Sequence, residues 1–147
     1  MMLSHQLMFS DGQALTATAA SENVIDLGAP GTVLGAPAAL KRDVGRGVPV
    51  PFVVVLGAAA GGTSPTIRVD LEISDTSDFS SAETVLSSAV KSGGAAGDRI
   101  ELGSYLPDGT DKRYMRLNYT LGGSSPTYTV TAGIVAGRQS TSGLVGV

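Results

Sequence analysis

The sequence contains no cysteine and no tryptophan, and its one histidine is His5. The missing thiols exclude disulfide bridges, thiolate metal sites and cysteine nucleophiles. A single imidazole near a chain terminus is a poor basis for a zinc site or a catalytic triad, because both need further ligands or a rigid setting. The apolar runs are shorter than the roughly 20 residues of a membrane-spanning helix. We therefore expect no enzymatic activity, no cofactor, no metal and no membrane partner.

The charge of the chain is small. Ten basic and 13 acidic residues give a formal net charge of −3, whereas nucleic-acid-binding proteins are typically strongly basic. We therefore expect no nucleic acid among the partners. Residues 1–10 lack the cationic segment and the long apolar stretch of a signal peptide, so no export signal is predicted there.

Strand periodicity is the strongest positive signal in the sequence. In the segment 66–74, apolar residues alternate with charged and polar ones. Side chains of a strand alternate between its two faces, so this pattern predicts a strand with one buried and one solvated face. Twenty glycines and seven prolines indicate many turns and little helix. Similar short segments predict about eight strands, and hence an all-β, jelly-roll-like antiparallel sandwich with an extended N-terminal arm.

The length of 147 residues predicts a single β domain, 1–147. Residues 1–21 are expected to form the N-terminal arm and the first strand, and residues 138–147 a flexible tail. Residues 28–47 form a long loop without clear periodicity, and loops of this length are often functional. Strands are also expected at 99–102, and at 112–121 and 128–136 with a turn between the last two. No internal repeat is recognised.

Two pairs of carboxylates have both a functional and a structural interpretation. Asp75 and Asp78 could contribute to a calcium site, but no further oxygen ligands follow in regular spacing. A turn in which these side chains bond their own backbone is the favoured interpretation. Asp70 and Glu72 share a predicted strand face and leave paired-acid glycoside hydrolysis open, although a solvated strand surface is the simpler interpretation.

One basic cluster and the predicted arm are the candidate interaction sites. The cluster lies in the long loop and is either simply solvated or faces an acidic partner, where rim charges steer docking and fix the register. The arm could lie over a neighbouring subunit or add a strand to its sheet. The predicted partner-interface residues are Phe9, Asp11, Leu15, Lys41, Arg42 and Arg46.

Several segments, taken in order, resemble a known family. They are 9–16 (Phe-Ser-Asp-Gly-Gln-Ala-Leu-Thr), 23–28 (Asn-Val-Ile-Asp-Leu-Gly), 71–75 with 79–81, and 113–119 with 129–133. With these segments the chain resembles the Bbp16-like family of tailed-phage capsid cement proteins, over most of its length. The resemblance implies a jelly-roll-like β fold, oligomers on the outside of the capsid, and contacts that bridge neighbouring capsomers. It brings no catalytic residues.

The expected function is therefore structural. The chain would be a capsid cement or decoration subunit, made in the host bacterial cytoplasm and located on the outer surface of the virion. Its expected partners are the major capsid protein and further copies of itself, as a dimer or trimer. The alternative is a lectin-like or receptor-binding β module of a phage tail or fibre, although the absence of tryptophan disfavours sugar binding.

Overall fold

The computed structural model describes residues 3–136, and within that range every helix or strand element is a strand. The strands are β1 (Leu3–Leu15), β2 (Ala19–Ala20), β3 (Ile25–Asp26), β4 (Phe52–Leu56), β5 (Gly61–Ser74), β6 (Glu83–Ser87), β7 (Lys91–Ser92) and β8 (Tyr114–Val135). All pairings between them are antiparallel. The predicted all-β antiparallel fold is confirmed. The described residues hold no helix long and apolar enough to cross a membrane, and the predicted tail 138–147 lies outside them.

Strand β8 connects the two layers of the fold. Its C-terminal part pairs with β1 and β4, and its N-terminal part pairs with β2, β3 and β5. Strands β6 and β7 continue the second layer along the other edge of β5. Because β8 belongs to both layers, it passes from one to the other opposite the N-terminal end of β5, where the pairing register is irregular.

The core lies between these layers. The apolar face of β5, formed by Ile67, Val69, Leu71 and Ile73, is fully buried, as its alternating sequence predicts. These side chains belong to one cluster with inward-facing residues of β1, β4 and both parts of β8. Burying an aliphatic side chain of this size contributes about 1.5–3 kcal/mol, so this cluster is the main source of stability.

Three expectations about local structure need correction. The expected N-terminal arm is largely strand β1, which pairs with β8 from Leu3 to Leu15. The turn expected between 121 and 128 is part of the 22-residue strand β8, because the opposite segment of β5 has a matching irregularity. The strand expected at 99–102 is reduced to one isolated bridge, between Arg99 and Val55.

The outer face of β5 is less solvated than its sequence indicates. Asp70 is only 3% exposed, and its Oδ2 accepts hydrogen bonds from Arg68 Nε at 3.2 Å and Nη2 at 2.8 Å. Glu72 Oε2 accepts a hydrogen bond from Arg116 Nε at 2.8 Å, and the Arg116 guanidinium lies 4.1 Å from the centre of the Phe79 ring. The two carboxylates on this face are therefore each held by an arginine.

Candidate interaction surface

A long loop, residues 28–49, connects β3 to β4 and contains the three predicted basic residues. Local backbone hydrogen bonds shape it, since Leu40 N donates to Gly31 O at 2.9 Å and Arg46 N donates to Asp43 O at 3.3 Å. The loop therefore has a specific conformation although it contains neither helix nor strand.

The base of this loop is attached to the turn 107–111. Asp43 Oδ1 accepts a hydrogen bond from Gly45 N at 3.0 Å, and Asp43 Oδ2 accepts one from Gly109 N at 2.8 Å. At Gly45 the two segments are so close that a Cβ atom would overlap the carbonyl oxygen of Pro107. Only glycine fits there, so close packing against the turn fixes the base of the loop.

The structure brings the three basic residues together. Lys41 and Arg46 are exposed, whereas Arg42 is half-buried. The Arg42 side chain donates through Nη1 to the carbonyl oxygens of Leu27 and Gly28. Together they line an open depression, whose lining residues are Lys41, Arg42, Asp43, Arg46, Gly47 and Asp111. Arg42 thus stabilises the loop, and Lys41 and Arg46 are the cations available to a partner.

The same loop exposes large apolar side chains that sequence reasoning did not select. Leu34 is 101% exposed and Val48 84% exposed. Val33 and Leu40 are also more than half exposed, at 54% and 56%. Exposed apolar side chains that form a patch mark protein–protein contacts in many proteins. The sequence offered one signal, the missing strand or helix periodicity of this segment, but that signal does not show whether another part of the chain covers these residues.

The predicted interface residues of the arm need correction. Phe9 is 0% exposed and Leu15 is 2% exposed, and both belong to the core cluster. Their side chains are therefore not available to a partner in this fold, because β1 is an integral strand that turns them inward. Asp11 is exposed on β1, where its backbone N donates to Glu22 Oε1 at 2.6 Å. It does not line the basic depression.

An ion pair stabilises the N-terminal end of the loop. The Asp26 carboxylate accepts hydrogen bonds from Arg113, Nε to Oδ1 at 2.8 Å and Nη2 to Oδ2 at 2.9 Å, and Oδ1 also accepts one from Gly28 N at 2.8 Å. These bonds, with that from Arg113 the largest, lower the pKa of Asp26 to about 2. The pair joins the end of β3 to the start of β8, directly beside the loop.

The other polar groups singled out from the sequence have local structural partners. Asp78 Oδ1 accepts a hydrogen bond from Ser80 N at 3.0 Å, as in the favoured turn interpretation. Asp75 Oδ2 accepts one from Lys112 Nζ at 2.9 Å. Between residues 3 and 136, no group of three or more histidine, aspartate or glutamate side chains is arranged to hold a metal ion.

Tyr119 has the most perturbed hydroxyl of the core. Its oxygen lies 2.7 Å from Ser10 Oγ in a buried hydrogen bond, and burial raises the pKa of Tyr119 well above its usual value. A phenol with a raised pKa remains protonated, so it serves as a structural hydrogen-bonding group between β1 and β8.

The family model Bbp16 matches residues 9–138, which is most of the chain. The chain belongs to the Bbp16 family. The matched range includes the loop 28–49 and the turn 107–111, so the candidate interaction surface lies within the part shared with the Bbp16 family. No curated protein matches the chain.

Proposed function

We propose that this Bbp16-family protein is a structural virion component, a cement or decoration subunit on the outer surface of a tailed-phage capsid. The loop 28–49 is the observation that carries the proposal. It exposes both apolar and cationic side chains, while its base is attached to the turn 107–111. Such a surface suits a binding protein, because the contact residues are accessible but their backbone is already ordered.

The apolar and charged residues of the loop have different parts in this proposal. Leu34 and Val48 bury apolar area against the shell, which lowers the free energy of attachment at every salt concentration. Lys41 and Arg46 lie at the rim of this contact with the shell. Their electrostatic attraction accelerates docking on an acidic surface and weakens as the salt concentration rises. The major capsid protein is the proposed partner.

Repetition adds to this affinity. Copies of the protein that associate with one another, as a dimer or trimer, engage several sites of a regular shell at once, so modest individual contacts multiply by avidity. Contacts of this kind bridge neighbouring capsomers and thereby stabilise the shell.

Co-sedimentation with capsids assembled from the shell protein of the same phage tests the proposal. We expect saturable pelleting at a fixed ratio of copies to shell subunits. Leu34→Ser should weaken attachment by about 10-fold or more at all salt concentrations, because burial of a leucine contributes about 1.5–3 kcal/mol. Lys41→Ala and Arg46→Ala should weaken attachment at low salt and flatten its salt dependence.

Two matched variants provide the controls. Val90→Ser removes an apolar side chain that is 62% exposed outside the loop, and Lys112→Ala removes a cation paired with Asp75. Neither should change attachment. Equal pelleting of all five variants would show that the loop is not the binding element. Wild-type protein that stays in the supernatant at low salt would refute the cement role for that shell, and a glycan array would then test the receptor-binding alternative.

A further inference from the structure

Two nearly identical hexapeptides pair with one another in the fold. They read Gly-Gly-Thr-Ser-Pro-Thr at 61–66 and Gly-Gly-Ser-Ser-Pro-Thr at 122–127. The pairing is reciprocal, because Gly61 lies opposite Thr127 and Gly122 lies opposite Thr66. The first residue of each hexapeptide thus faces the last residue of the other, which is the relation that a two-fold axis produces.

The backbone conformations of the hexapeptides repeat as well. Gly62 and Gly123 have φ angles of 100° and 99°, and Ser64 and Ser125 both have a φ of 49°. Their close contacts are exchanged in the same way. A Cβ atom on Gly62 would overlap Ser125 O, and one on Gly123 would overlap Ser64 O. Two segments distant in sequence therefore adopt one shape and hold each other in it.

The repetition extends beyond the hexapeptides into the outer strands. The bulge at Phe9 in β1, opposite the C-terminal part of β8, has a counterpart at Val85 in β6, opposite β5. In each case the outer strand has one extra residue. It lies opposite Ala132 and Gly133 in β8 and opposite Leu71 and Glu72 in β5, which follow their hexapeptides at equal distances.

The irregular edge segments correspond too. Ser21 N donates to Leu117 O of β8 at 2.7 Å, and six residues later Leu27 N donates to Arg113 O, just before β8, at 2.9 Å. Ile100 N donates to Val54 O of β4 at 3.0 Å, and six residues later Leu106 N donates to Val50 O, just before β4, at 3.0 Å. The loop 28–49 then corresponds to the short turn 107–111, against which it packs.

Strand pairing joins the two halves throughout. Among residues 3–136, each strand pairing connects an element of 3–74 with one of 83–135, and no ladder lies within either half. The isolated bridges also connect the two halves. A half alone would leave its strand edges without partners and its apolar faces exposed. This is the arrangement expected of an intertwined dimer whose subunits cannot fold separately.

We propose that the protein is a fused two-fold dimer, in which 3–74 and 83–135 are homologous repeats. The strand edges and apolar faces that one repeat would expose alone are covered by the other repeat. The turn 75–82 is the covalent link between the two. The inference rests on the fold and is independent of the proposed capsid role. It also identifies loop 28–49 as the part in which one repeat has departed most from the other.

Native-state hydrogen exchange of the intact chain tests whether the repeats fold only together. NMR would follow the most protected amides of β4, β5 and β8 at increasing urea concentrations. We expect these amides in both repeats to exchange through one global opening, with rates that agree within about threefold once urea makes that opening dominant. The proposal would be overturned if the strands of one repeat stayed protected after those of the other had exchanged.

Matched substitutions test whether the repeats are equivalent. Gly62→Ala and Gly123→Ala should lower the melting temperature by the same amount, because each places a methyl group against a carbonyl oxygen of the other hexapeptide. Gly35→Ala is the control, since Gly35 also has a positive φ, of 82°, but a Cβ atom there would meet no other atom within 4 Å. Its effect should be smaller. Reductions for Gly62 and Gly123 that differ by more than twofold would contradict the two-fold relation.

Discussion

Replacement of Arg68 by threonine should destabilise the protein through the carboxylate of Asp70. Arg68 provides both hydrogen bonds to Asp70 Oδ2, and Oδ1 has no partner among the described residues. Without Arg68, a carboxylate that is 3% exposed has no counter-charge, which costs about 1–3 kcal/mol. The Arg68 side chain is itself 48% exposed, so the cost should stay below the roughly 3–5 kcal/mol of breaking a fully buried pair.

A double substitution separates the loss of the pair from the loss of the arginine stem. Arg68→Thr with Asp70→Thr copies Thr129 and Thr131, which follow the second hexapeptide at the same distances. With both charges removed, no carboxylate remains to be desolvated, and the double variant should be within about 1 kcal/mol of wild type.

Urea unfolding at pH 7 and thermal melting measure these differences. A loss of 1 kcal/mol corresponds to a decrease in melting temperature of roughly 2–4 °C for a chain of this size. The reasoning would be refuted if Arg68→Thr left the unfolding midpoint unchanged, or if the double variant were as unstable as the single one.

Three further predictions concern the core, the loss of stability at low pH and the loop 28–49. Phe9→Ala should lower the free energy of unfolding by about 3–5 kcal/mol in urea titrations; unchanged stability with lost capsid attachment would instead make Phe9 an interface residue. Asp26 has a folded pKa below its ordinary 3.8, so the stability contributed by its pair with Arg113 is present above that value and is lost as the pH falls towards 2. The free energies of unfolding of Asp26→Asn and wild type should therefore approach each other between pH 4 and 2. A difference that stays constant over this pH range would argue against the pair. Gly45→Ala should displace the loop from Pro107 and shift the amide NMR signals of 107–111 while the core signals stay in place; an unchanged spectrum would show that the close approach is absent in solution.

The fold class followed from the sequence because a two-layer core imposes period two on its strands. The alternation of Ile67, Val69, Leu71 and Ile73 is a local signal of that packing. The continuity of β8 was not predictable in the same way, since bulges with positive φ use the glycine and serine residues that also form turns. The second hexapeptide was expected to be a turn between two strands, so its correspondence with the first, which lies in β5, was not recognised.

The candidate site was predicted only in part. Lys41 and Arg46 were recognisable because charge in an aperiodic loop is a local property. The misassignment of Phe9 has a different cause, because whether a terminal segment is an arm or a core strand depends on pairing with residues far along the chain. The exposure of Leu34 is likewise a property of the folded chain, since nothing adjacent in sequence shows that no neighbour covers it.

The position of β8 along the chain determines when the sheet can form during synthesis. Strands β1 to β4 all precede β8, yet among the described strands each of them pairs with β8 alone. Translation at about 5–20 residues per second needs several seconds to reach the end of β8, so β1 to β4 remain without their pairing strand for that time. Their apolar side chains are available to chaperones during that interval. Pairing of β1 to β4 therefore follows translation of β8, instead of advancing strand by strand with the ribosome.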